Sequence, residues 1–275
     1  MRIKHRFAFN TSKAEIISFL SKQNIELDIG VIVTAFEIFE DDASYSEIKN
    51  YLEYNNIRSS LATSYAVFTQ DEINEAQWLG VRSAWYNGYP QPQNSDYISS
   101  VYDTTNYCDK CDKGLVQKGS FTIKKEPNWG RRNFFMLYWV HDELFASSRT
   151  VQILKNSSLT GFGFLDVLTK SKGILQGTKQ IIIEKQLEHA LNSESIAETF
   201  ICAKCNAEKY IRRVGTVRYD KRAFMNIQED IVKSQEKFGQ RTCSSMLLIT
   251  QRFYKVLTEN QLDRSLIFQP ISLVE

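Results

Sequence analysis

The sequence predicts an α+β protein, in which a small N-terminal α/β unit precedes a longer, pseudo-duplicated α+β region with paired zinc knuckles. Three observations predict this class: strand-like and helix-like patterns alternate over the first 70 residues, two Cys-x-x-Cys pairs follow, and the segments after the two pairs resemble each other. We assign residues 1–85 to the N-terminal unit, 86–106 to a linker and 107–275 to the duplicated region, with repeats over about 107–170 and 200–275.

The N-terminal unit has the pattern β-α-β-α-β. Residues 2–9 alternate as a strand does, and residues 13–22 place apolar side chains at helical spacing. Residues 29–39 are rich in β-branched and aromatic residues and predict a second strand. A helix is predicted from the polar Asp41 through Leu52, and a third strand over Leu61–Phe68. This order favours a small sheet covered by helices on one face.

A capping box, Thr69-Gln-Asp-Glu72, predicts the start of a further helix. This helix is predicted to carry four apolar residues, Ala76, Trp78, Leu79 and Val81. The polar stretch that follows contains Gly88, Pro90 and Pro92, which are turn residues, and therefore predicts the linker.

An internal repeat connects two helix–strand segments. Phe145–Leu154 and Leu248–Leu257 align without gaps at an offset of 103 residues, and each has a hydroxyl residue at the helix start, Ser147 or Thr250. The tails also match, in the pairs Leu159 with Leu262, Phe164 with Phe268 and Val167 with Ile271. A Cys-x-x-Cys pair precedes each copy. Duplication explains both coincidences together, and chance similarity of two amphipathic helix–strand units is the alternative.

The two cysteine pairs predict one structural zinc ion, with Cys108, Cys111, Cys202 and Cys205 as ligands. Two thiolates of a tight turn reach one metal ion, and zinc takes four ligands in a tetrahedron with Zn–S of about 2.3 Å. The 90 residues between Cys111 and Cys202 exceed the usual ribbon spacing, so a shared ion requires the two repeats to meet at their knuckles. A thioredoxin-like redox pair and free thiols are the alternatives. Cys243 is predicted to be a small buried apolar residue.

The arrangement over residues 105–275 resembles the bacterial double-CXXCG motif proteins. The matching features are Cys108/Cys111, the Ser-started helix segment Ser147–Phe162, Cys202/Cys205, and Thr250–Ile271, which ends in Phe268-Gln-Pro270-Ile271. Asp112 and Asn206 stand where the motif has glycine. The resemblance carries over only the four cysteines as site residues. Because some members of the family are immunity proteins, it also implies a neutraliser of a toxin.

Motifs that indicate an enzyme are sparse. The three histidines, His5, His141 and His189, match no metal-ligand spacing, and there is no G-x-S-x-G, HExxH or kinase set. Four cysteines close a zinc site, whereas a catalytic zinc keeps one position open. We therefore expect a protein that is not an enzyme. An enzyme that uses His141 and the acids beside it is the weakest hypothesis.

Two basic segments are candidate partner contacts. The residues are Lys124, Lys125, Trp129, Arg131 and Arg132 after the first cysteine pair, and Arg212, Arg213 and Arg218 after the second. Hairpin turns with solvated charges are the alternative explanation. A nucleic-acid-binding or regulatory zinc ribbon of a defence or mobile-element system is the second function hypothesis, although the net charge of +2 is small for one.

The compartment follows from sequence patterns. The first ten residues lack the apolar core of a secretion signal, and no stretch approaches 18 apolar residues. Cysteines in Cys-x-x-Cys pairs indicate metal rather than disulfides in a reducing compartment. We expect a cytoplasmic protein with no membrane contact and with a protein partner, such as a cognate toxin.

Overall fold

Two compact units make up the chain. The computed structural model describes residues 1–57, 63–94, 96–240 and 243–275. Unit 1 contains Met1–Glu72 and Val214–Thr216, and unit 2 contains Ile73–Arg213 and Val217–Glu275. The division therefore falls earlier than the predicted end of the N-terminal unit at residue 85. Mixed α and β structure is present in both units, as the sequence predicted.

Unit 1 is a four-stranded antiparallel sheet with two helices, in the succession β-α-β-β-α-β. The strand order is β2-β3-β1-β4. The strands are β1 (Arg2–Asn10), β2 (Leu27–Ile29), β3 (Val33–Phe39) and β4 (Thr63–Val67), and the helices are α1 (Ala14–Lys22) and α2 (Tyr45–Tyr54). Leu20 and Leu52 of the helices pack with Phe7 and Phe36 of one sheet face, which is the predicted arrangement.

The predicted strand over residues 29–39 is a hairpin, because Gly30 makes a turn that the apolar composition conceals. The Gly30 N–H donates to the Val33 carbonyl at 3.0 Å, and a Cβ on Gly30 would lie 2.7 Å from that oxygen. The predicted strand Leu61–Phe68 corresponds to β4. The first two residues of that prediction, 61 and 62, lie outside the described residues.

The capping box is confirmed, but the helix after it is shorter than predicted. The Thr69 N–H donates to Glu72 Oε2 at 2.8 Å, and α3 covers Gln70–Glu75. Residues Trp78–Ser83 form strand β5 instead of continuing the helix. Strand β5 has a paired strand on each side, β17 and β18. Its residues Leu79 and Val81 are buried in the hydrophobic core. The run of apolar residues is therefore typical of a central strand.

Unit 2 contains two five-stranded sheets with the same strand order and the same strand directions. In the first sheet the order is β8-β11-β12-β10-β9, and in the second it is β15-β18-β5-β17-β16. In each, only the first pair is parallel. The first-sheet strands are β8 (Thr122–Ile123), β9 (Phe134–Leu137), β10 (Val140–Ser147), β11 (Phe162–Thr169) and β12 (Ile174–Ile183). The second-sheet strands besides β5 are β15 (Val217–Asp220), β16 (Ile231–Lys233), β17 (Leu247–Thr250) and β18 (Leu266–Val274).

The register of the two sheets matches position by position. Ser147 pairs with Thr178 of β12, and Thr250 pairs with Trp78 of β5. Phe164 pairs with Ile181, and Phe268 pairs with Val81. Residues that the sequence aligned thus lie opposite equivalent residues of the two central strands. The central strand of the second sheet, however, comes from a segment that precedes the first cysteine pair.

A capped helix of nine residues lies between equivalent strands of each sheet. Helix α5 (Ser148–Asn156) has Ser147 as its N-cap, and α6 (Gln251–Glu259) has Thr250. Each cap hydroxyl accepts from the N–H three residues later, at 3.3 Å and 3.2 Å. The apolar sides of both helices and the facing residues of both sheets form one shared core.

The edges of the two sheets are connected by equivalent parallel bridges. Tyr86, just beyond β5, pairs with Met136 of β9, and Gln186, just beyond β12, pairs with Lys233 of β16. The register therefore equates Met136 with Lys233. The two sheets share one hydrophobic core, which explains why many strands of unit 2 carry buried aliphatic residues.

The described residues of the predicted linker 86–106, which are 86–94 and 96–106, are folded. They contain α4 (Asp96–Val101) and β6 (Tyr102–Asp103), which pairs with β7 (Val116–Gln117). Tyr97, Val101 and Tyr102 are buried in the core of the outer face of the first sheet. The turn residues that predicted a linker shape a covering segment instead. A second two-stranded hairpin, β13 (Ile196–Ile201) and β14 (Glu208–Arg212), completes the strands of the described chain.

Candidate metal centre

Each Cys-x-x-Cys pair forms a knuckle between the two strands of a short hairpin. The first knuckle connects β6 to β7. Its Cys108 N–H donates to the Lys113 carbonyl at 2.9 Å, and the Asp112 N–H donates to the Cys108 carbonyl at 2.9 Å. Asp112 has φ of +58°, the left-handed conformation that a knuckle requires after its second cysteine.

The second knuckle, between β13 and β14, repeats these bonds. The Cys202 N–H donates to the Ala207 carbonyl at 2.9 Å, and the Asn206 N–H donates to the Cys202 carbonyl at 2.8 Å. Asn206 has φ of +57°. Asp and Asn tolerate this conformation better than other residues with a side chain, so they suit the position after the second cysteine of each knuckle.

The four cysteine sulfur atoms converge although 90 residues separate the two pairs. Cys108 Sγ lies 3.8 Å from Cys202 Sγ, Cys111 Sγ lies 3.5 Å from Cys205 Sγ, and all four lie within 4.8 Å of one another. A tetrahedron with Zn–S of about 2.3 Å has sulfur–sulfur distances of about 3.8 Å. The separations are too long for disulfides, whose S–S bond is about 2.05 Å, and all five cysteines are free thiols. The group can hold a metal ion.

The surroundings of the sulfur atoms affect ionisation differently in the two knuckles. Cys108, Cys111 and Cys202 are buried, whereas Cys205 is exposed. Burial raises the pKa of Cys111 to about 12. The backbone N–H groups of Cys205 and Lys204 lower the pKa of Cys202 to about 6. Because a metal ligand must be a thiolate, an ion held by these sulfur atoms would displace the proton of Cys111.

Two further contacts support the knuckles. Lys204 Nζ of the second knuckle donates to Asp109 Oδ1 of the first at 2.8 Å. Cys243 is half-buried, and its thiol donates to the Cys111 carbonyl at 2.7 Å. Cys243 is therefore not simply a small apolar core residue as predicted. No local pattern in the sequence places residue 243 beside residue 111.

The predicted partner contacts occupy different environments. Trp129 packs with Trp85 and Phe135 in a hydrophobic core, which corrects its role as a surface contact. Four of the arginines interact within the chain, as Arg132 stacks on Trp85, Arg212 donates to Gln269, Arg213 donates to backbone carbonyls and Arg218 pairs with Glu194. Lys124, Lys125 and Arg131 are exposed and remain the candidates of this set.

A cleft of about 920 Å³ beside the first knuckle contains groups that the sequence did not connect. His141 lies on its wall, within strand β10. Asp142 and Glu143 follow it and are paired with Lys237 and Lys233. The sequence indicates the two acids as candidates because they follow a histidine. Their lysine partners are 90 or more residues away in the chain, so no local pattern predicts the ion pairs.

No family model matches the sequence, and no curated protein matches it. Within the described residues, no helix has the length and apolar character needed to cross a membrane.

Proposed function

We propose that the four cysteines bind one structural zinc ion that joins the two knuckles. The convergence of four sulfur atoms at tetrahedral separations carries this proposal. Soft thiolate ligands favour zinc, and a set of four closes the coordination sphere. The ion would connect segments that are distant in sequence, so its main effect is on the stability of unit 2.

The two halves of unit 2 derive, in this proposal, from a duplication with exchanged central strands. Each copy would run from a central strand through a knuckle, an edge strand, a hairpin and a capped helix to a final strand. The first copy begins at β5 and the second at β12. The common strand order, the matched register and the closest approach of equivalent cysteines, Cys108 to Cys202 and Cys111 to Cys205, support it.

The protein acts, in this proposal, as a cytoplasmic binding protein that neutralises a partner protein, as an immunity protein does its toxin. A closed four-thiolate site offers no position for a substrate, which favours a structural role for the ion. A group of aromatic rings lies on the surface of the first sheet, and Tyr89, Tyr138 and Trp139 in it are more than a third exposed. Such rings are typical of protein interfaces.

Coexpression with a toxin encoded beside the gene tests this function. We expect growth to be restored and the two proteins to elute together. A matched variant, Cys108→Ser, should protect less in proportion to the folded protein it leaves. If a toxic neighbour kills the cells at the same rate with and without the protein, and no complex forms, the proposal is wrong.

A further inference from the structure

The cleft beside the first knuckle is negatively charged and has aromatic walls. Its lining contributes five carboxylates and three lysines, together with aromatic side chains that include Tyr97, Tyr107 and Trp139. The carboxylates are Asp109, Asp112, Asp142, Glu143 and Glu184, and the lysines are Lys185, Lys233 and Lys237. Three of the carboxylates are paired, Asp109 with Lys204, Asp142 with Lys237 and Glu143 with Lys233. Asp112 and Glu184 then outnumber Lys185, so charge complementarity favours a cation over an anion in this cleft.

At the inner end of the cleft, charged groups are buried together. Glu143 pairs with Lys233 and accepts from Gln180 Nε2 at 3.0 Å. Asp142 accepts from the Ser245 N–H at 2.9 Å and lies 3.5 Å from Lys237 Nζ. Ser245 is only 4% exposed, yet its hydroxyl has no hydrogen-bond partner among the residues that the structure describes. A buried hydroxyl without a partner on a cleft wall is a position at which a ligand group can bond.

The fold itself does not require these buried charges. The matched register equates Glu143 of the first half with Met246 of the second, and Lys233 of the second half with Met136 of the first, so two methionines occupy the positions equivalent to the ion pair. Gln180 corresponds to Gly80. Replacing a buried ion pair by apolar residues is often neutral or stabilising. The charges of Glu143 and Lys233, which the equivalent methionines lack, thus indicate a function other than folding.

Trp139 contributes an exposed ring from a strained backbone. It lies in the tight turn between β9 and β10 with φ of +72°, and its side chain is 45% exposed. A bulky residue in the left-handed region is a rare conformation that is concentrated at functional sites. Its ring contacts Tyr89 at 4.5 Å and Tyr97 at 6.5 Å between centroids.

We propose that this cleft binds an arginine side chain of the protein partner. The guanidinium would lie against the faces of Trp139 and Tyr97, with Glu184 and Asp112 as counter-ions and the Ser245 hydroxyl near the inner end. Guanidinium stacks on aromatic faces and pairs with carboxylates in a planar geometry, which suits this combination better than a compact ammonium does. The inference rests on the proposed function, because it assumes that the partner is a protein.

Binding of small arginine derivatives tests the cleft without the partner. The probes are acetyl-arginine amide, acetyl-lysine amide and acetyl-citrulline amide, which has nearly the shape of the arginine probe without its charge, and NMR titration of the whole protein reads the binding. We expect saturable binding of the arginine probe in the millimolar range, about tenfold weaker binding of citrulline, and intermediate binding of lysine.

Matched variants keep this test independent of folding. Trp139→Gly removes the ring at a position where glycine fits the backbone, and it should weaken arginine binding about tenfold. Lys172→Gly makes the same backbone change at φ of +64° in the turn between β11 and β12, so it should leave binding unchanged. Glu184→Gln should weaken binding severalfold. Equal binding of arginine and citrulline, no saturable binding, or equal effects of the two glycine variants would overturn the proposal.

The partner complex separates failure of the cleft from failure of the proposed function. If the toxin binds the Trp139→Gly variant as tightly as the parent protein, the cleft assignment is wrong and the proposed function stands. If the arginine probe binds as expected while no toxin is bound or neutralised, the cleft keeps its cation specificity but the assignment to a toxin partner is overturned.

Discussion

The two five-stranded sheets of unit 2 share their scaffold and differ in what they bury. Strand order, strand direction, capped helix and knuckle turn are the same in both. At equivalent positions, the first half has Glu143 where the second has Met246, while Lys233 of the second half stands where the first has Met136. The features that both halves share are those that this topology requires for folding. The ion pair at matched positions differs between the halves, is not required by the topology, and lies in the cleft.

The largest effect is expected from breaking the feature that both halves contribute to equally. Cys108→Ser and Cys202→Ser should each abolish tight zinc binding and destabilise unit 2 by more than about 4 kcal/mol, the range reached when a metal is lost. The proposed equivalence of the knuckles predicts similar losses, measured as melting temperatures with and without chelator. Cys243→Ser is the control, since its thiol is not among the four converging sulfur atoms. A drop confined to one knuckle would argue against a shared ion.

The ion pair between Glu143 and Lys233 should give the next largest effect on stability. Lys233→Met alone should cost about 3–5 kcal/mol, because it leaves Glu143 buried without its cation. The double variant Glu143→Met/Lys233→Met places methionines at both positions, as at the equivalent residues Met246 and Met136, and should recover most of that loss. Urea unfolding measures both. A double variant less stable than the single one would show that the charges are needed for folding.

The helix caps should behave alike. Ser147→Ala and Thr250→Ala each remove a hydroxyl that accepts a backbone N–H at the start of a nine-residue helix. Each should cost about 1 kcal/mol in urea unfolding. Both hydroxyls also make a second hydrogen bond, Ser147 with the Thr150 hydroxyl at 2.9 Å and Thr250 with Asp230 at 2.8 Å, so similar losses are expected. Ser147→Thr and Thr250→Ser, which keep the hydroxyl, serve as controls, and a loss at only one helix would weaken the equivalence.

The smallest effect on stability is expected at the turn between β9 and β10, where Trp139 lies beside the cleft. Trp139→Gly should leave stability unchanged or raise it by up to about 1 kcal/mol, because glycine removes the cost of the left-handed backbone. Lys172→Gly should change stability in the same direction. Differential scanning calorimetry compares them. Strong destabilisation by Trp139→Gly alone would mean that the ring is a packing residue.

Local patterns were enough to predict the parts of the fold that depend on neighbours in sequence. The cysteine pairs, the Thr69 capping box and the caps at Ser147 and Thr250 each have their chemistry within a few residues. The aligned helix–strand segments also correspond to equivalent elements of the two sheets, α5 with β11 and α6 with β18. These predictions succeeded because capping and knuckle geometry need only short-range hydrogen bonds.

Long-range pairing was beyond the sequence patterns. Trp78–Ser83 has apolar residues that fit a helix, and only pairing with β17 and β18, more than 150 residues away, makes it a central strand. The cleft was missed for the same reason, as Lys233 and Lys237 reach the acids of β10 from a distant segment. The linker prediction failed because turn residues and buried Tyr97 coexist in one covering segment.

The central claim is that one zinc ion joins the two knuckles. X-ray absorption at the zinc edge, combined with metal analysis of the purified protein, tests it most directly. We expect one zinc per chain with four sulfur ligands at about 2.3 Å. This signal should be lost in both Cys108→Ser and Cys202→Ser. Two zinc ions per chain, a coordination shell with nitrogen or oxygen, or a fully stable protein without metal would contradict it.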